Sequence, residues 1–290
     1  MKKIGMVGIG LRGHGIATNL LKHGHELAVL DHPGNQPLDA LRASGVQVMS
    51  DLVALAARSE MIILVLTGSP AVEAVLTGEG GVLQGLRPGT VVIDCSTALP
   101  ASTQRMAQAV AAAGGRFLDA PMTRTPKEAA EGRLNLLVGG ESDLLAQCRP
   151  VLACFAENIT HVGPVSAGHS MKLLHNFVSL GMVTLLAEAA ACAQRSGVAP
   201  EAFVEVLAKG GGGGIALERL KPFLLAQDPS GLRFSLANAQ KDLGYYQTMA
   251  QDAGAYEAVA SAVLATLNVG AAHASARAWV PELVRVLCEA

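Results

Sequence analysis

The residues with the clearest chemical use stand near the N-terminus, in the turn Gly8-Ile9-Gly10-Leu11-Arg12-Gly13. An apolar, β-rich run over 4–7 precedes the turn and a helical stretch follows it, the context in which this glycine spacing has a mechanism. Gly8 permits a tight turn, Gly10 lets the backbone approach a pyrophosphate, and Gly13 allows a helix to pack closely on a strand. A helix starting there presents N–H groups and a partial positive charge to phosphates. Asp31 ends the next β-rich run, 23 residues after Gly8, near the ~20-residue offset at which a carboxylate takes the adenosine ribose hydroxyls. A carboxylate there repels a 2′-phosphate, so the expected cofactor is NAD rather than NADP. Arg12 and His32 are the counter-signals, since either offers charge to a 2′-phosphate.

Elements must position this turn, and the first half of the chain supplies them by alternation. Strands are predicted over 4–7, 26–30, 61–66, 91–94, 116–119 and 134–138, with helices over 16–23 and 102–113. The run 61–66 is wholly apolar, as a central parallel strand covered on both faces should be. Strand–helix alternation implies a Rossmann-type, doubly wound parallel sheet, an α/β domain over 1–163. Beyond it the β-branched runs stop. Ala/Leu/Glu-rich stretches over 166–195, 200–208, 215–226, 235–252, 256–273 and 278–288 predict an all-α second domain over 164–290, for substrate and subunit contacts. The first of these helices is long enough to act as a spine joining the two domains. The glycine run 210–214 reads either as a flexible connection or as a mobile loop closing over a site.

Composition narrows the partners. The 290 residues carry 22 basic and 24 acidic side chains, a formal charge of −2. So balanced a surface gives no reason to expect nucleic acid or an anionic membrane. The 5 cysteines are odd in number and form no CxxC pair, which reads as reduced thiols in a cytoplasmic protein rather than a disulfide or zinc framework. Cys95 reads as a small core residue. The histidines match no ligand spacing, so no metal is expected. No stretch reaches ~18 uninterrupted apolar residues, and the glycines, Arg12 and His14 break the resemblance of the N-terminus to a signal peptide.

Further signatures recur along the chain: Asp94-Cys95-Ser96-Thr97 with Pro100, Asp119-Ala120-Pro121 before Gly132, Gly139-Gly140, Gly163-Pro164 with Gly168, Lys172 with Asn176, Glu188-Ala189, and Lys241-Asp242-Leu243. Together they resemble the β-hydroxyacid dehydrogenase family, which includes 3-hydroxyisobutyrate dehydrogenases, tartronate semialdehyde reductases and sulfolactaldehyde reductases. The resemblance runs from Ile4 to about Ala250. It implies a Rossmann domain, a helical domain with the site in the cleft between them, and interconversion of β-hydroxy acids and semialdehydes. By motif, Lys172 matches the catalytic lysine and Asn176 the asparagine one helical turn on. Leu66 and Thr97 match residues on the nicotinamide side, and Lys241 matches a lysine that reaches the cofactor. Lys172, Asn176 and Ser179 stand at i, i+4 and i+7, on one helix face. Leu173, Leu174, Phe177 and Val178 are expected to pack that helix. An ammonium beside a developing alkoxide stabilises its charge and supplies its proton.

Departures bear on the substrate. Where the family usually carries small Ser-Gly-Gly residues after Asp-Ala-Pro, this chain has Met122-Thr123-Arg124-Thr125. Thr123, Arg124, Thr125 and Ser179 are the expected substrate-binding residues, Arg124 offering a forked cation to an oxyanion. An Arg-Thr pair here is similar to that of the sulfolactaldehyde reductases. The alternative for Arg124 is pairing with Glu128 or Glu131 at the next helix. His175, beside Asn176, reads either as a second proton-handling group or as a residue turned away. The expected partners are a small anionic aldehyde or hydroxy acid and further copies of the chain, as a homodimer or homotetramer joined by the apolar helices 256–273 and 278–288. Two rivals stand beside this reading. Imine reductases share the fold but carry Asp or Tyr in place of the lysine, and a non-catalytic nucleotide sensor would have no use for Lys172, Asn176 and Lys241 together.

Overall fold

A computed structural model describes residues 1–273, 275 and 278–289. The chain packs as two compact units, Met1–Lys172 and Leu173 onward. The division falls inside one helix, past the expected boundary near 163. The reason is local: the first turn of that helix is hydrogen-bonded to the end of a strand in the first unit, as described below.

The first unit carries strands β1 (Lys3–Val7), β2 (Glu26–Leu30), β3 (Gln47–Met49), β4 (Met61–Leu64), β5 (Val91–Asp94), β6 (Arg116–Asp119), β7 (Met122–Thr123), β8 (Leu134–Gly139) and β9 (Ala156–Gly163). The sheet runs β3-β2-β1-β4-β5-β6, all parallel, and continues with β8 antiparallel to β6. β7 pairs antiparallel with β8, and β9 pairs parallel with it. Helices α1 (Leu11–Lys22), α2 (Asp39–Ala43), α3 (Leu52–Arg58), α4 (Ser69–Thr77), α5 (Val82–Gly85), α6 (Pro100–Ala112), α7 (Pro126–Ala130) and α8 (Ser142–Leu152) connect them. Successive side chains of a strand point to opposite faces. Ile4, Met6, Met61 and Ile63 therefore join one apolar core, and Val7, Ile62 and Leu64 join another on the opposite face. Burial on both faces explains why β4 is apolar throughout.

Register sets the working edge. Val7 lies opposite Leu64, Leu64 opposite Asp94, and Asp94 opposite Asp119. The carboxyl ends of β1, β4, β5 and β6 are thus level, and Gly8, Val65, Cys95 and Ala120 open the loops along one edge. Ligands of such sheets bind outside that edge.

The second unit is helical. Helix α9 (Ala167–Arg195) leads into α10 (Pro200–Ala208), α11 (Ile215–Ala226), α12 (Leu236–Asp252), α13 (Ala258–His273) and α14 (Leu283–Glu289). Its core gathers Val183, Leu186, Ala187, Leu217, Leu220, Phe223, Leu243 and Leu267. Three expectations are corrected here. Strand β4 stops at Leu64 rather than at 66, because the Leu66 N–H donates to the Ser96 hydroxyl at 2.9 Å instead of to a ladder partner. Of the residues expected to pack α9, Leu173 is fully buried, but Leu174 and Val178 are 42% and 60% exposed. The C-terminal helix α14 is core, with Leu283, Val284 and Val286 buried, whereas an exposed apolar stripe runs down α9 through Met171, Leu174, Val178, Met182 and Leu185. An 18-residue window of α9 has mean hydropathy 1.5, enough by length and composition to cross a bilayer, with 44% of it buried inside the protein. Counting only uninterrupted apolar residues missed it, since an average tolerates isolated polar ones.

Candidate active site

The glycine turn is built from backbone. Gly8 has φ +96°, and a Cβ there would stand 2.2 Å from the Val65 carbonyl oxygen. A Cβ on Gly13 would lie 2.0 Å from the Gly8 carbonyl oxygen, so α1 seats directly against the turn. Gly10 differs: a Cβ added there meets no protein atom within 4 Å. It caps α1 with extended backbone and without a side-chain capping bond. Two positions are closed by the protein's own packing and the one between them is open, which is the shape a bound pyrophosphate requires. The residues present therefore fit a dinucleotide, with the N-terminus of α1 facing it. Leu11, the first helical residue, is 59% exposed.

Asn35 braces the turn. Its Oδ1 accepts from the Ile9 N–H at 3.1 Å and its Nδ2 donates to the Leu30 carbonyl at 2.9 Å. Asp31, one residue past β2, is exposed, with the Arg42 guanidinium 3.8 Å away. His32 accepts from the Gly34 N–H at 3.0 Å. Arg12 donates from Nη2 to the Arg124 carbonyl at 3.0 Å, which ties the turn to the strand end at 122–125.

Each side chain of that strand end has a partner within the first unit. Thr123 is buried in β7, and its hydroxyl accepts from Asn135 Nδ2 at 3.1 Å. Arg124 adopts φ +76°, and its guanidinium pairs with Glu157 and donates to the Arg133 carbonyl. The alternative partners expected for it, Glu128 and Glu131, are otherwise engaged. Glu131 pairs with Arg133. Glu128 closes a capping box with Thr125 at the start of α7, accepting from the Thr125 N–H at 2.9 Å and its hydroxyl at 2.5 Å. Those bonds, the hydroxyl's foremost, hold the Glu128 carboxyl below its ordinary range.

At the carboxyl ends of β4 and β5, Leu66 and Thr97 are half-buried. Cys95 between them is buried, and desolvation with the adjacent Asp94 pushes its thiol far up, leaving no reactive thiolate. Lys172 is 7% exposed on the first turns of α9. Asn176, one turn on, is 6% exposed and donates from Nδ2 to Asp242 Oδ2 at 2.6 Å. Asp242 is also buried and pairs through Oδ1 with Lys241 Nζ at 2.8 Å. The same ammonium lies 5.1 Å from the Tyr245 ring centroid, and Phe177 stacks on Tyr246 at 4.3 Å. Ser179 is half-buried, and His175 is exposed with Nδ1 3.1 Å from Asn176 Oδ1.

The first unit thus groups the glycine turn, Asp31, Leu66, Thr97, Thr123, Arg124, Thr125 and Lys172, and the second groups Asn176, Ser179 and Lys241. Reading the sequence alone missed Asp242, although its motif was on view, and missed His169 with the buried carboxylates Asp94 and Asp119. Asp119 accepts from the backbone N–H groups of Ser166 and His169, each at 2.8 Å, and so caps α9 from the end of β6. Aspartates one residue before Cys-Ser-Thr and Ala-Pro were the available signal.

Comparison with known proteins agrees across both units. A family model of the NAD binding domain of 6-phosphogluconate dehydrogenase matches residues 3–163, and one described as NAD-binding of NADP-dependent 3-hydroxyisobutyrate dehydrogenase matches residues 166–287. The chain is 34% identical to 2-(hydroxymethyl)glutarate dehydrogenase of Eubacterium barkeri, over 83% of this chain and 80% of that protein. It is 30% identical to 3-sulfolactaldehyde reductase of Escherichia coli strain K12, over 84% and 82%. Among solved structures, 3-hydroxyisobutyrate dehydrogenase of Mycobacterium tuberculosis, determined with L-serine, is similar at TM-score 0.88 and 27% identity over 99% of both chains.

Proposed function

The chain belongs to the β-hydroxyacid dehydrogenase family of NAD(P)-binding oxidoreductases, and on that premise we propose that it interconverts a small anionic β-hydroxy acid, or hydroxysulfonate, and its semialdehyde, with Lys172 as general acid and base. The observation that carries the reading is the buried Lys172 with Asn176 one turn along α9, the latter held by Asp242. When bound, the nicotinamide supplies or accepts the hydride. Lys172 Nζ holds the proton that neutralises the developing alkoxide in reduction, and takes the proton of the hydroxyl in oxidation. Asn176, its Nδ2 committed to Asp242, presents a fixed amide to orient the lysine. Lys241 is assigned to the cofactor.

The substrate anion is assigned to Thr123, Arg124, Thr125 and Ser179. The Glu157 pairing of Arg124 means that an incoming anion trades one oxyanion partner for another. For the cofactor we favour NAD. Asp31 stands where a 2′-phosphate would be repelled, and Arg12 is directed to the Arg124 carbonyl. The Lys172→Ala variant is expected to lose kcat by roughly 10³-fold, within the range for a general acid–base group, while NADH binding stays within twofold. Full activity of that variant on aldehydes turned over by the wild type defeats the assignment.

We further place the enzyme in the cytoplasm, on the strength of its free thiols, as a homodimer or homotetramer. The stripe on α9 borders a groove of about 700 Å³ lined by Val178, Met182, Leu185, Gly212 and Val259, and contiguous apolar faces of this kind mark protein–protein contacts. Light scattering behind size exclusion is expected to give two or four times the chain mass. A monomer at micromolar concentration contradicts it.

A further inference from the structure

The first unit holds a buried imidazole that the proposed reaction does not use. His169 is fully buried, three residues before Lys172 on the opening turn of α9. Its Nε2 lies 3.2 Å from the Ser96 carbonyl oxygen. A carbonyl only accepts, so Nε2 carries a proton and donates. Its Nδ1 stands 2.7 Å from the Thr103 hydroxyl on α6. Asp94 and Asp119 flank the ring at 3.9 and 3.8 Å, and Asp119 also takes the His169 N–H.

The ring's partners extend to the working edge of the sheet. Ser96, which receives the imidazole through its carbonyl, donates its own N–H to Asp94 Oδ1 at 2.9 Å and receives the Leu66 N–H on its hydroxyl. Thr97 is the next residue. Leu66 and Thr97 follow β4 and β5. Asp31 marks the adenosine side of the sheet, beyond β1, so the other mononucleotide half of a dinucleotide lies over β4 and β5. One buried network therefore joins the loops beneath the nicotinamide half to the turn that carries Lys172.

We propose that His169 is a positioning residue, which fixes Leu66, Thr97 and Lys172 relative to one another by clamping the Ser96 carbonyl to the first turn of α9. This rests on the dinucleotide-binding reading but needs no substrate. A cavity in place of the ring leaves the Ser96 carbonyl without its imidazole donor and the Thr103 hydroxyl with only the Leu99 carbonyl, 3.1 Å away on its own helix, and both loops lose their register. The glycine turn and Asp31 lie outside this network.

Nucleotide binding to the full chain separates the two halves, because ADP-ribose contains the adenosine and pyrophosphate but no nicotinamide. His169→Ala is expected to weaken NADH about tenfold, the usual cost of a buried unpaired group, while ADP-ribose stays within twofold. If the wild type prefers NADPH, that nucleotide and 2′-phospho-ADP-ribose form the pair. His169→Gln, whose amide can donate to Ser96 and accept from Thr103, is expected to recover NADH binding to within about threefold. Should H169A fold poorly, Thr103→Val removes the second partner alone and is expected to weaken NADH about threefold with ADP-ribose unchanged. The proposal is overturned if NADH binding is unaffected, if NADH and ADP-ribose weaken in parallel, or if H169Q does no better than H169A. A wild type that binds neither nucleotide would instead remove the dehydrogenase reading itself.

Discussion

The glycine turn and the strand end at 122–125 belong to one unit and are joined by the Arg12–Arg124 hydrogen bond, yet they are made in opposite ways. The turn works through backbone. Its side chains are absent where the chain must approach itself, at Gly8 and Gly13, and where a ligand must approach, at Gly10. The strand end works through side chains, and each is already engaged: Thr123 by Asn135, Arg124 by Glu157, Thr125 by Glu128. A ligand adds to the first region without displacing a protein contact. At the second it competes with contacts that the fold has made.

The sharpest way to break this contrast is inside the turn. Gly13→Ala puts a Cβ against the Gly8 carbonyl, where both partners are backbone and neither can move cheaply. Its expected cost is on the order of 3 kcal/mol or more, with the melting temperature lowered and NADH affinity reduced by at least ~10²-fold. Gly10→Ala meets nothing in the protein. It is expected to melt with the wild type while losing NADH affinity at least ~10-fold, since the added methyl takes the ligand's space. Equal melting losses in the two variants erase the distinction between a glycine kept for the fold and one kept for the ligand.

That contrast also explains what the sequence disclosed. The turn was legible because everything it needs is local: a strand, six residues and a helix start. The bounds of β2, β5 and β6 and the long α9 were legible for the same reason, through uninterrupted apolar runs and helical composition. Short elements such as β3, α2 and α5 were not, because a few residues carry no readable period. The partners of the strand end were illegible because they are distant in sequence. Arg124 finds Glu157 on β9 rather than the nearer Glu128, and Glu128 is lost to it because Thr125 caps α7. The His169 network draws single residues from β5, β6, α6 and α9; Asp94 and Asp119 open readable motifs, but Thr103 and His169 have none, and nothing local brings the four together. The exposure of Leu174 and Val178 was hidden too, since apolarity reports that a face is covered without saying by what.

At the strand end the competition itself can be measured. If Arg124 receives the substrate anion, Arg124→Ala is expected to raise KM roughly 10–100-fold with little change in kcat, the loss of a charge-assisted contact. Glu157→Gln is expected to act in the opposite direction, lowering KM about threefold, because the guanidinium is released from a carboxylate that the substrate must otherwise replace. An unchanged KM in both variants assigns the Arg124–Glu157 pair to the fold and leaves the substrate anion to other groups.

The smallest effect decides what the Thr125 hydroxyl is for. As the cap of α7 it is worth about 1 kcal/mol, so Thr125→Ala is expected to melt roughly 2–4 °C lower at neutral pH. The Glu128 carboxyl sits below its ordinary value of 4.5 chiefly through the Thr125 hydroxyl. A carboxyl lowered on folding stabilises the protein above its unfolded value and loses that contribution as pH falls through the folded one. The melting gap between variant and wild type should therefore be full at pH 7 and shrink as the pH falls below the ordinary value of 4.5 and through the lowered folded one. A gap of this kind with an unchanged KM makes the hydroxyl a structural cap. A raised KM in the same variant means that the capping box opens to the substrate, and then the strand end shares its side chains between fold and ligand as the glycine turn never has to.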